Sequence, residues 1–240
     1  MADFEKLVER VINSADILLM VIDARKIDEC INKKIVAKIN QRNKKIIYVL
    51  NKCDLLSESE LKKIRLTDSV KISATNHRGT MKLLRKIMVL GKGKEVTVGV
   101  VGLPNTGKSS LINALKGKHS APTSSISGFT RGIQKLRINK KIMMIDTPGV
   151  FSNTENEVIL VSIGAIDADK IKDAEIYAIN LISTLNGKIE EYFSVTKHED
   201  ALETLENIAI KKHILRKGGL PDTERMGRQI VWLCQKGKIK

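Results

Sequence analysis

Apolar residues gather into short unbroken blocks at residues 17–22 (ILLMVI), 46–50 (IIYVL), 96–101 (VTVGVV) and 142–145 (IMMI). Blocks of this length, rich in branched side chains, predict strands buried on both faces. A shorter one at residues 70–73 predicts a fifth strand. Between the blocks, residues 3–13, 28–40, 58–64, 80–89 and 108–116 place apolar positions at the three- and four-residue spacing of an amphipathic helix. Strands alternating with helices predict an α/β fold, a mainly parallel sheet with helices on both faces. Residues 131–145 depart from that rhythm, since two candidate strands joined at Asn139-Lys140 read as a hairpin. After Gly149 strand signals largely stop. Residues 157–194 and 199–236 are helical in pattern. Gly218-Gly219 and Pro221 break the second stretch, with Asp222 or Thr223 placed to cap the next helix. The pattern therefore predicts an α/β domain over residues 1–152 and a small all-α domain over 153–240.

Composition narrows the class. A chain of 240 residues, 42% of them hydrophobic, holds one ordinary domain and a small second one. No apolar run approaches the roughly 18 residues of a membrane span, so no membrane role is expected. The first residues, MADFEKLVER, are acidic and amphipathic, unlike a secretory leader. Cys30, Cys53 and Cys234 are odd in number and far apart, which fits neither a disulfide framework nor a zinc site. A reducing cytoplasm is the expected compartment.

The net charge of +15 is segregated. Residues 81–141 hold 13 Lys/Arg against one acidic residue, residues 150–206 hold 4 against 12, and residues 207–240 hold 9 against 2. Blocks this uneven favour a polyanionic partner. With 3% aromatic residues, contacts to phosphates and RNA shape are expected ahead of base stacking.

Chemistry enters with Gly102-Leu-Pro104-Asn105-Thr106-Gly107-Lys108-Ser109-Ser110, a match to G-x-x-x-x-G-K-[ST] between a strand and a helix pattern. Such a loop curls backbone N–H groups around phosphates, its lysine reaches the terminal phosphates, and its serine binds Mg²⁺. Asp146-Thr147-Pro148-Gly149 ends the strand IMMI. An aspartate there can hold Mg²⁺ through water, and the Gly149 N–H can face a γ-phosphate. Asn51-Lys52-Cys53-Asp54 follows the strand IIYVL. Guanine presents N1–H and an exocyclic amine side by side, and one carboxylate accepts both; adenine offers no such pair, so Asp54 is expected to read the base. Asn51 is expected to tie the pocket to the phosphate loop, the Lys52 stem to cover the base, and the Ala74 N–H, in Ser73-Ala74, to meet the guanine carbonyl.

Together NKCD, KISA, GLPNTGKSS and DTPG resemble the motif set of translation-factor-like GTPases, with the guanine motifs ahead of the phosphate loop instead of behind it. That order is similar to the circularly permuted GTPases, and most to the YlqF/RbgA ribosome-biogenesis group. Ala15-Asp16-Ile17, Val21-Ile-Asp-Ala-Arg25, Ser127-Gly-Phe-Thr130-Arg131 and the stretch from Ile208 to Asp222 extend the likeness over most of the chain. The resemblance implies GTP/GDP as ligand and hydrolysis of GTP, with Lys108, Thr130 and Gly149 serving the reaction. It implies Thr130 as the switch threonine that joins Ser109 and Asp146 on Mg²⁺, and Asn105 as the side chain that holds K⁺. It implies ribosomal RNA or the pre-ribosomal large subunit as partner. Three departures stand out: Ser127 replaces the family's proline, the first residues lack its W-F-P-G-H-M segment, and Val150 occupies the place of a water-orienting glutamine. A valine cannot polarise water.

The expected function is thus a GTP-hydrolysing assembly factor, monomeric in isolation, whose C-terminal cations Lys211, Lys212, Arg216, Lys217, Arg225 and Arg228 meet phosphates. A nucleotide-gated protein-interaction switch and a GTP-dependent RNA-modification component are the alternatives.

Overall fold

The computed structural model describes residues 2–116, 134–146, 160–161, 164 and 166–239. The chain divides into two compact units, Met1–Thr154 and Glu155–Lys240.

In the first unit, β1 (Ile17–Asp23), β2 (Lys45–Asn51), β3 (Ser69–Lys71), β4 (Val96–Val101), β5 (Gln134–Asn139) and β6 (Ile142–Asp146) form one sheet in the order β3-β2-β1-β4-β6-β5. Every neighbouring pair is parallel except β5 and β6, the expected hairpin. All seven residues of β1 are buried, which explains why its sequence shows no alternation. Helices α1 (Ala2–Ser14), α2 (Ile27–Cys30), α3 (Lys33–Gln41), α4 (Glu58–Lys63), α5 (Thr80–Leu90) and α6 (Lys108–Lys116) complete the unit. One core cluster gathers Leu19, Val49, Ile72, Leu83, Ile87, Val98, Leu111 and Met144. Each such side chain contributes about 1.5–3 kcal/mol by leaving water.

The single helix expected over residues 28–40 is two. Ile31 is extended, and the Asn32 side chain accepts from the Ile35 N–H at 3.1 Å, starting α3 afresh. A local cap competes with the continuing helix and wins. β3 is also shorter than its apolar pattern. Ser73 instead pairs with Arg78 in an isolated bridge, exchanging N–H···O bonds of 3.1 and 3.0 Å.

The second unit is built from α7 (Ala174–Thr184), α8 (Lys188–Phe193), α9 (Ala201–Lys211) and α10 (Thr223–Gln235). Its core holds Ala178, Ile182, Ile189, Phe193, Leu205, Ile208, Met226, Ile230 and Leu233. α7 and α10 approach so closely that a Cβ on Gly227 would lie 2.7 Å from the Ala174 carbonyl oxygen. Polar ties lock the pair: the Glu224 carboxylate accepts from the Glu175 N–H at 3.2 Å, and the Thr223 hydroxyl donates to the Glu175 carboxylate. A carboxylate at a helix N-terminus also meets the favourable end of the helix dipole. Asp222 caps α10, accepting from the Arg225 N–H at 3.0 Å. Among the described residues no helix is long and apolar enough to cross a membrane.

Candidate functional site

The chain leaves β1 towards β2 and β3 on one side, and leaves its neighbour β4 towards β6 on the other. This reversal makes a topological switch point, outside whose carboxyl strand ends open α/β sheets place their ligands. Asp23 ends β1 there, Asn51 ends β2, Gly102 follows β4 and Asp146 ends β6.

The loop from Gly102 to Gly107 joins β4 to α6. Asn105 and Gly107 both take positive φ, 57° and 95°. A Cβ on Gly107 would lie 2.2 Å from the Asn51 side-chain nitrogen, so only glycine fits beside that amide. The Thr106 hydroxyl donates to the Leu103 carbonyl at 2.9 Å, and Lys108 Nζ donates to the same oxygen at 2.8 Å. Both side chains are buried. The lysine ammonium is thus held inside the loop it serves. Ser109 and Ser110 follow on the first turn of α6, whose bonding starts from the Gly107 carbonyl.

Asn51 is the joint of the site. Its Nδ2 donates to the Thr106 carbonyl at 2.9 Å, and its Oδ1 accepts from the Ala74 N–H at 3.1 Å. One buried amide thereby links the phosphate loop to the Ser73-Ala74 segment. This changes one expectation: the Ala74 N–H is bonded to Asn51 and does not point free to a guanine carbonyl. Ser73 is buried, and its hydroxyl accepts from the Asn76 N–H at 3.3 Å, which fixes the turn.

Lys52 sits in the left-handed region at φ 62°, and its ammonium pairs with Asp23 at 2.9 Å. Asp23 is fully buried and also receives the Arg25 guanidinium at 2.9 and 2.7 Å. Burial pushes its carboxyl pKa up, but the Arg25 hydrogen bond and the charges of Lys52 and Arg25 outweigh burial and hold it below the usual value. The stretch Val21-Ile-Asp-Ala-Arg25 carried no assigned role in the sequence. Its signal was a carboxylate closing a wholly apolar strand, which needs a cation to be tolerated. Asp54 lies in the short 3₁₀ turn Cys53–Leu55, and its Oδ1 is buried with no hydrogen-bond partner. A buried oxygen left unmatched is what a carboxylate kept for a ligand's two donors looks like.

Thr130, Gly149 and the side chain of Asp146 lie outside the described residues, as do Thr147, Pro148 and Val150. The backbone of Asp146 pairs with Val100 and Gln134, so the position does close a strand beside the phosphate loop.

In the second unit the six named cations divide. Arg228 is a structural tie, donating to the Glu224 carboxylate at 2.7 Å and to the Ile171 carbonyl at 3.1 Å, half-buried. Its expected role as a phosphate contact is therefore replaced by that of locking α10 to the start of α7. Lys211 donates to the Ser194 carbonyl, Lys212 lies 5.5 Å from the Phe193 ring centre, and Arg216 lies 3.5 Å from Asp222. All three stay exposed, as do Lys217 and Arg225. Residues 214–222 fold into a small hairpin, with Leu215 bridged to Pro221 and the Arg216 N–H bonded to the Leu220 carbonyl at 2.8 Å. Arg216 and Lys217 lead into its turn.

The family model described as 50S ribosome-binding GTPase matches residues 97–215, and that described as the elongation factor Tu GTP binding domain matches residues 1–90. An uncharacterized GTP-binding protein of Methanocaldococcus jannaschii is 38% identical, over 98% of this chain and 65% of that protein. Nucleolar GTP-binding protein 2 of Saccharomyces cerevisiae is 33% identical, over 96% of this chain and 51% of that protein. The chain thus spans between half and two thirds of the length of these relatives. GNP-bound YlqF from T. maritima shares the fold with a TM-score of 0.66 at 23% identity, covering 98% of this chain and 94% of that one. Fold, motifs and relatives match those of P-loop GTP-binding proteins, with the Asn51–Asp54 and Ser73-Ala74 motifs ahead of the phosphate loop. The chain is similar in sequence to these GTP-binding proteins and shares its fold with YlqF.

Proposed function

We propose that the first unit binds GTP and GDP at the switch point of its sheet, hydrolyses GTP, and sets the affinity of the second unit for RNA of the pre-ribosomal large subunit. The observation that supports the nucleotide reading is the Asn51 joint, which ties the phosphate loop to Ser73-Ala74, together with the buried, unmatched Oδ1 of Asp54 three residues after Asn51. Backbone N–H groups of residues 105–110 and the Lys108 ammonium take the phosphates. Ser109, Thr130 and Asp146 are the residues that would hold Mg²⁺, which would supply positive charge to the phosphates. Gly149 offers its N–H to the γ-phosphate. Val150 cannot polarise the attacking water, and Asn105 would be the residue to hold a K⁺ ion, which would supply positive charge near the phosphates. Single-turnover rates in KCl should exceed those in NaCl at equal ionic strength.

The ribosomal reading rests on the names of the relatives and on charge. The exposed cations Lys211, Lys212, Arg216, Lys217 and Arg225 stand where phosphates can reach them. Cys30, Cys53 and Cys234 are buried and form no disulfide, which suits a reducing cytoplasm. The test is sedimentation of the protein with pre-ribosomal particles across salt, with GDP and with a non-hydrolysable GTP analogue, beside equilibrium titration with GTP and ATP. Salt-sensitive, nucleotide-dependent pelleting supports the reading. GTP-selective binding without pelleting leaves the protein-interaction switch.

A further inference from the structure

α10 has two unlike faces. Met226, Ile230 and Leu233 are buried, while Arg225, Gln229, Trp232 and Lys236 fall on the opposite edge at i, i+4, i+7 and i+11 and are exposed. That edge runs about 16 Å along the helix, and exposed Lys238 extends it past the end. Its five side chains carry three cations, one amide and one indole, with no carboxylate. The acid nearest the edge in sequence, Glu224, is already engaged with Arg228 and the Glu175 N–H. Trp232 is the sole tryptophan of the chain and is 39% exposed. The ammonium groups of Lys238 and Lys236 lie 5.0 and 6.0 Å from its ring centre.

A lone exposed aromatic on a soluble protein needs no explanation. An exposed indole flanked by two lysines, on a helix edge that carries no acid and inside a strongly basic block, does. We infer that this edge is a site for unpaired RNA, in which Trp232 stacks on one splayed base while Lys236, Lys238 and Arg225 take the flanking phosphates and Gln229 meets a base edge. Every base offers a π-face, so the stack is tolerant of sequence. A duplex keeps its bases stacked inside and cannot use the indole. On binding, a lysine swings from the ring to the phosphate of the stacked nucleotide, exchanging a cation–π contact for an ion pair. The inference rests on the RNA-binding reading above and adds to it the kind of RNA and the residue that reads it.

The experiment uses the full chain with a GTP analogue and two labelled probes of equal length, decauridylate and a perfect RNA duplex. Anisotropy of the label reports binding, and emission of the sole tryptophan reports stacking. Decauridylate should quench Trp232 with the same midpoint as the anisotropy change, and the duplex should leave emission nearly unchanged. Trp232→Ala should weaken decauridylate binding about 5- to 150-fold, and Trp232→Phe should retain most of it. The pair Lys236→Ala with Lys238→Ala should flatten the log–log salt slope by about 1.4, the value for two phosphates on a single strand. Decauridylate bound without quenching, and equally well by Trp232→Ala, overturns the stacking site and leaves RNA binding standing. Failure of both probes to bind at low salt takes down the RNA reading as well. Wild-type affinity of Trp232→Ala for both probes, with loss of pelleting with ribosomal particles, overturns the inference and assigns the edge to a ribosomal protein.

Discussion

Asp54→Asn separates a base-reading carboxylate from a structural one, because the two roles predict opposite signs. In the structure Asp54 Oδ1 is buried and makes no hydrogen bond. Leaving such a group unmatched costs about 1–3 kcal/mol, which guanine's N1–H and exocyclic amine return on binding. Asparagine turns one acceptor into a donor, which then faces guanine's own amine. GTP affinity should fall by about 1–3 kcal/mol, or roughly 5- to 150-fold. Xanthine carries a carbonyl where guanine carries that amine, so xanthosine triphosphate should bind better to the variant than to the parent. Without nucleotide, the substitution removes a charge at an oxygen that has no protein partner to lose, so the urea midpoint should hold or rise. The assay is calorimetric titration with both nucleotides beside urea unfolding without either. Unchanged GTP affinity, or equal loss for both nucleotides together with a lowered urea midpoint, refutes the reasoning.

Gly107→Ala should lower GTP affinity at least tenfold and cost about 1–3 kcal/mol in stability, because its Cβ would fall 2.2 Å from Asn51 Nδ2 at a φ of 95°; titration and urea unfolding measure the two effects. Arg228→Ala should destabilise the chain by about 1–3 kcal/mol by freeing the Glu224 carboxylate and the Ile171 carbonyl, yet leave the salt slope of RNA binding intact. Lys217→Ala should do the reverse, with stability unchanged to within about 0.5 kcal/mol. Asp23 has its folded pKa held below the ordinary 3.8, so its stabilisation is present above that value and is lost as pH falls through the folded value. Asp23→Asn should therefore cost about 3 kcal/mol near neutrality, where Lys52 and Arg25 lose their shared counter-charge, and should flatten the acid limb of a stability-versus-pH curve.

What could be read in advance was whatever is local. The phosphate loop is nine consecutive residues between a strand and a helix, and the buried strands announced themselves by unbroken apolar runs. The division of the 28–40 pattern was not legible because Asn32 looks like one polar residue among many until its side chain is seen capping α3. The ties that assemble the site escape notice for a different reason. Asn51 and Thr106 are 55 residues apart, and Asn51 and Ala74 are 23 apart, so only the sheet brings them together. The same holds for Arg228, which reads as a free cation on a basic helix although the Ile171 carbonyl, 57 residues away, accepts from it. Trp232 is easily discounted on composition, since 3% aromatics says nothing of where one ring sits.

The order of the motifs matters less to the nucleotide site than to the helical unit downstream. Asp23, Asn51 and the phosphate loop are joined by side-chain bonds across β1, β2 and β4, and none of those bonds depends on which strand comes first in the chain. Joining α5 to β4 through the short stretch of residues 91–95 leaves the switch point intact, because that stretch enters β4 at its amino end, away from the carboxyl ends that hold the site. The permutation acts elsewhere. β6 ends at Asp146 and is the last strand in sequence among the described residues, so in the chain Asp146-Thr-Pro-Gly149 is followed by the second unit. In P-loop GTPases the segment after this aspartate responds to the γ-phosphate. A segment that leaves β6 at Asp146 and leads on to a helical unit with a basic C-terminal stretch can bias that unit only if its two states differ in free energy. Linkage then demands reciprocity: RNA must change GTP-over-GDP preference by the factor by which GTP changes RNA affinity.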